Sequence, residues 1–223
     1  MPSTFVKQPQ QVSAAGGGFL NGGEGDAIVG GLLSGVPAGL NISQGIQTLP
    51  GDRMVVGEED AAALDDADIG TLYGGLYTYV KTKATSTATP TRARAAFWDT
   101  AVAASLFQAT PDESGTQGVA PFAGVFLNDL VKGYCWWLQS AGRVSAEFLT
   151  TITGTPADGG PVYLAGAGAG ADVGRFDQLD GGGNPTFTQV GAMIQRYVGW
   201  AQGLPADDTI STINIPLGRI FRW

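Results

Sequence analysis

KGYCWWLQSAGRVSAEF, residues 132–148, sits in the middle of the chain, and the way it pairs decides what kind of protein this is. Tyr134, Trp136 and Leu138 alternate with Cys135, Trp137 and Gln139, which is the two-residue period of a β-strand. Ser140, Ala141 and Gly142 then read as a short turn whose glycine takes the left-handed conformation. Residues 143–149 form the return strand, with Val144, Ala146 and Phe148 on a dry face and Ser145 and Glu147 on a wet one. The stretch is thus expected to be a hairpin. Trp136 and Trp137 cannot both face inward on a regular strand, so one of them needs cover from an arm, another sheet or another chain.

The neighbouring segments have the same texture. IGTLYGGLYTYVKT, residues 69–82, places Tyr73, Gly75, Tyr77 and Tyr79 on one face and Leu72, Leu76, Thr78 and Val80 on the other. A helix would also fit the spacing of Leu72, Leu76 and Val80, but the paired glycines and the β-favouring Tyr, Thr and Val select a strand. Residues 82–91 are a polar, Thr-rich loop. RARAAFWDTAVAASLFQAT, residues 92–110, has helix-favouring alanines, yet FWDT and SLFQAT read as two short strands around a turn. FAGVFLN follows as another strand, and PVYLA as a short one. Residues 190–204 are strand-like, with a bulge or tight packing at Gly199, and Ile210, Thr212 and Asn214 alternate with Ser211, Ile213 and Ile215. Many short strands separated by turn residues make the chain mainly β, a β-sandwich or β-barrel of short antiparallel strands.

The first fifty residues are different. Glycines interrupt every apolar cluster, which argues against an independent fold, while Phe19, Leu20, Ile28, Leu32 and Leu33 are too apolar for a solvated linker. Residues 1–50 therefore read as an extended, Gly-rich N-terminal arm, and residues 51–223 as a β-rich body.

Composition removes most catalytic chemistry. The 223 residues include no histidine and one cysteine, so a Ser/His/Asp triad, a Cys/His dyad, an internal disulfide and the common Cys/His zinc patterns are all excluded. Cys135, beside two tryptophans and far in sequence from any strong cationic cluster, reads as a buried small hydrophobe. GAGAGA, residues 166–171, loosely resembles a dinucleotide fingerprint but lacks the following helix and the βαβ unit. The acidic clusters at Glu58, Glu59 and Asp60 and at Asp65, Asp66 and Asp68 lack the EF-hand pattern and read as solvated turns. No enzyme activity, cofactor or metal is expected. A net charge of −8 speaks against nucleic acid and anionic membrane as partners. No stretch is apolar enough for a signal peptide or a membrane span. The aromatic residues Trp98, Trp136, Trp137, Trp200, Trp223, Tyr73, Tyr77, Tyr79 and Tyr134 remain, as core, protein anchors or a sugar-binding face.

In order along the chain, ADIGTLYGGLYTYVKT, the FWDT and LFQATPDE segments and AGVFLNDLVKGYCWWLQSAGRVSAEF resemble the small β-rich capsid decoration, or cement, proteins of tailed bacteriophages. The likeness covers residues 67–148, with a looser echo in RYVGWAQGLPADDTISTINIPL. It implies a non-enzymatic virion structural protein, made in the host cytoplasm. Such a protein sits on the outer capsid surface, often as a trimer, and bridges neighbouring major capsid proteins. Interface residues would then be Phe19, Leu20, Ile28, Leu32 and Leu33 of the arm and one of Trp136 and Trp137. A head fibre, tail or head-completion component and a carbohydrate-binding or adhesin module remain alternatives.

Overall fold

In a computed structural model, the structure describes residues 50–62, 71–99, 107–112, 122–165, 172–178 and 196–216, and short strands at 36–37, 42–43 and 46–47. The described residues are mainly β. Strands run in the order β1 (Val36–Pro37), β2 (Ile42–Ser43), β3 (Ile46–Gln47), β4 (Arg53–Val56), β5 (Gly75–Thr82), β6 (Ala95–Trp98), β7 (Gln108–Thr110) and β8 (Phe122–Phe126). They continue with β9 (Tyr134–Glu147), β10 (Pro161–Leu164), β11 (Phe176–Asp177), β12 (Tyr197–Gln202) and β13 (Ile210–Ile215). One short helix, α1 (Glu58–Ala62), follows β4.

The expected hairpin at residues 132–148 is instead one strand of 14 residues, β9. The turn-forming trio is a bulge. Against β5, Tyr77 pairs with Gln139 and Leu76 with Ala141, which leaves Ser140 as the extra residue. Its hydroxyl donates inward, to Thr78 Oγ1 at 2.8 Å and the Ala123 carbonyl at 3.2 Å. Gly142 has φ +93°, and a Cβ there would lie 2.6 Å from the Gly74 carbonyl oxygen. Small residues and a left-handed glycine serve a bulge as well as a turn, so local signals could not separate the two. Partners on both sides decide for the strand. β5 pairs along Cys135–Gly142, while β8 and then β13 take successive parts of the other edge.

β9 consequently belongs to two bodies. The pairings β9–β8, β8–β6, β6–β7, β7–β5 and β5–β9 close a ring of five strands, antiparallel except for β5–β7. Every ring strand contributes to one core: Val80, Ala96, Trp98, Ala109, Ala123, Phe126 and Leu138, with Leu130 from a loop. Alternation of alanine with Trp or Phe fits the narrow interior of a small ring. It also explains why RARAAFW looked half helical: its alanines are there for size.

From the second half of β9 a wing extends in the order β13–β12–β10–β11. Its inner side carries Val162, Leu164, Phe176, Val198, Ala201, Ile213 and Ile215. These pack with Phe97 and Val125 from the opposite side of β6 and β8, and with Val144, Ala146 and Phe148. β6 and β8 are therefore buried on both faces, as their unbroken burial records. On β9 the expected dry face (Val144, Ala146, Phe148) and wet face (Ser145, Glu147) are both present. The strands expected at FWDT, SLFQAT, FAGVFLN, PVYLA, residues 190–204 and ISTINI correspond, with shifted bounds, to β6, β7, β8, β10, β12 and β13.

Candidate interaction surfaces

Among the described residues no group of three or more His, Cys, Asp and Glu could hold a metal, and no helix is long and apolar enough to cross a membrane. Exposed surface is where interactions would occur, and two regions of it are well defined.

The first lies at the start of β9. β1 pairs antiparallel with it, Val36 opposite Cys135 and Pro37 opposite Tyr134, so a piece of the glycine-rich segment adds a strand to the body. A proline is acceptable at such a site because an edge strand can spare the N–H. The hydroxyl of Thr82 donates to the Tyr134 carbonyl at 2.8 Å and fixes the strand's entry. Lys132 Nζ donates to the Ser86 and Thr87 carbonyls at 2.6 and 3.1 Å, tying the Thr-rich loop to the same corner. Beside these contacts Val131 is exposed and Tyr134 half-buried.

Trp137 is fully buried, with its ring 5.1 Å from that of Tyr79. It stands opposite Tyr79 in the β5–β9 ladder, on the face that alternates with Val80 and Leu138 of the ring core. Trp136 stands opposite Val80 in the same ladder. Phe19, Leu20, Ile28, Leu32 and Leu33 lie outside the described residues. Trp98, Tyr77 and Tyr79 are buried, and so is Cys135. Burial, and secondarily the Glu58 carboxylate, hold the Tyr77 phenol well above its ordinary range. That phenol donates to the Tyr73 carbonyl at 2.6 Å.

The second region is the outer face of the wing. One cross-strand row runs Pro161, Trp200, Asn214, Arg143, and the next contains Gln202, Thr212 and Ser145. Trp200 is 37% exposed, and Leu204 and Ile210 at the connecting end are 69% and 49% exposed. On the far side of Trp200 the register slips between Val162 and Tyr163, which brings Tyr163 opposite Tyr197 with ring centroids 5.9 Å apart. Trp200 was only one of several aromatics in the sequence. Its distinguishing signal was the polar set Thr212 and Asn214 on the strand it pairs with.

The charges on this face are already satisfied. Arg143 pairs with Glu58 at 3.1 Å and lies 4.5 Å over the Tyr73 ring, whose hydroxyl meets Thr212 Oγ1 at 3.1 Å. Glu147 is held between Arg94 and Arg175, each at 2.6 Å, and Arg175 also reaches Asp208 at 2.8 Å.

Neither a family model nor a curated protein matches the chain. Among solved structures it is similar to the head fiber gp8.5 N base in bacteriophage phi29, at 13% identity over 63% of this chain and 94% of that one, with a TM-score of 0.38. That likeness is too loose to assign a fold or a role.

Proposed function

We propose that the chain is a non-enzymatic structural protein of a bacteriophage virion. In this reading it decorates the outer surface of an icosahedral head as a homo-oligomer and ties neighbouring major capsid proteins together. The observation that carries the proposal is the pairing of Val36–Pro37 with Tyr134–Cys135. It supports the idea that the glycine-rich segment works by strand addition, a mode in which backbone hydrogen bonds supply affinity to any open sheet edge. The apolar residues Phe19, Leu20, Ile28, Leu32 and Leu33 would fill pockets on the shell beside such a strand, with Trp136 and Val131 at its root. Each contact can be modest, because a lattice of repeated sites raises the effective concentration for the second and third contact. A net charge of −8 would keep the protein from competing for packaged DNA.

Co-sedimentation with empty shells of the major capsid protein tests this directly. The full chain should bind saturably at a fixed ratio to the capsid subunit. A variant lacking residues 1–35 keeps β1, so it should show the same circular dichroism but stay in the supernatant. Equal binding by both would remove the arm from the mechanism. Failure of the full chain to bind would end the decoration reading and leave a fibre or tail component, distinguished by its copy number per virion.

A further inference from the structure

The outer face of the wing combines an exposed indole with neutral hydrogen-bonding side chains. Trp200 stands directly opposite Asn214, with Gln202 and Thr212 one step along the same face and the Tyr197 ring one step the other way. Cross-strand neighbours have Cβ atoms roughly 5 Å apart, about the width of one pyranose ring. From this arrangement we infer that the face is a binding site for a neutral oligosaccharide.

Three observations favour a neutral sugar over the other possible occupants. The faces of sugar rings present polarised C–H groups, which complement the negative face of an indole, while the surrounding hydroxyls need amide and hydroxyl partners at the ring's edge. Asn214, Gln202 and Thr212 supply that chemistry. The two charged groups bordering the face, Arg143 and Glu147, are engaged with Glu58, Arg94 and Arg175, so no free charge calls for a charged ligand. An acidic polysaccharide would meet a chain of net charge −8 and be repelled. The site is remote in the sheet order from β1, at the other end of the β9 pairings, so it does not depend on the decoration reading.

Saturation-transfer NMR and calorimetry on the full chain, with maltohexaose, cellohexaose and chitohexaose as neutral probes and hexagalacturonate as the acidic one, test the inference. At least one neutral hexasaccharide should bind. Trp200→Ala should weaken it by about tenfold or more, the scale of a lost aromatic anchor. Asn214→Ala and Gln202→Ala together should weaken it by a similar factor, and they provide the test if Trp200→Ala alters the fold. Val55→Ser, on the distant β4, should leave binding unchanged. Binding to none of the neutral probes, or binding that survives both sets of substitutions, overturns the proposal. So does a concentration-dependent dimer in sedimentation velocity that Trp200→Ala dissociates, which would assign the face to a second copy.

Discussion

At Gly199 there is no room for a side chain: a Cβ would overlap the carbonyl oxygen of Asn214 on the adjacent strand. The sequence suggested a bulge or tight packing at this glycine, and the cause is the close approach of β12 to β13 beside the slipped register with β10. Gly199→Ala should therefore cost about 2–3 kcal/mol, the scale of overpacking in a tight interior. Urea unfolding would show this as a lower midpoint at unchanged slope. Tyr77 makes a second residue-scale prediction. Its phenol is raised by burial, so the neutral form belongs to the folded state. A raised pKa means that the associated stability is complete below the unfolded value, near pH 10, and is lost as pH climbs toward the folded value. Stability should fall above about pH 10. Tyr77→Phe should be less stable at neutral pH by about 1 kcal/mol, through the lost hydrogen bond, and should show a shallower alkaline decline.

At the scale of elements, the ion cluster at the end of β9 fastens the strand to loops on either side. Glu147 accepts from Arg94 and Arg175, and those arginines come from the loop before β6 and the loop before β11. Arg175 is largely buried. Glu147→Gln leaves two guanidinium groups without their shared carboxylate, and should cost about 3 kcal/mol, the scale for breaking a buried pair. Raising the salt concentration should change this difference little, because screening acts weakly on buried groups. Nothing in the sequence selected Glu147 from among 20 acidic residues, since its partners lie 53 and 28 residues away and meet it only in the folded sheet. The same limit hid the path of β9. Alternation on either side of Ser140 was legible, and the second half has the expected dry and wet faces. Whether the chain turns back or runs on depends on which strands occupy its edges, and those come from residues 75–82, 122–126 and 210–215.

For the whole molecule, the shared strand has a thermodynamic consequence. Ring and wing both hold β9 and share the core between β6, β8 and the wing, so neither can open without exposing apolar surface of the other. Unfolding should be one cooperative transition, with coincident midpoints by far-ultraviolet circular dichroism and by tryptophan fluorescence. Two separated transitions would mean that the ring and the wing fold as independent units.

The strand-rich class of this protein, the positions of most of its strands and the faces of β9 and β13 were determined by the sequence alone. A two-residue period and turn chemistry act between near neighbours, and that information survives without tertiary context. Ring closure, the continuity of β9, the burial of Trp137 and the exposure of Trp200 were decided only in the tertiary structure. They depend on which distant strands meet along each edge and what covers each face, and every strand here carries apolar residues suited to several such pairings.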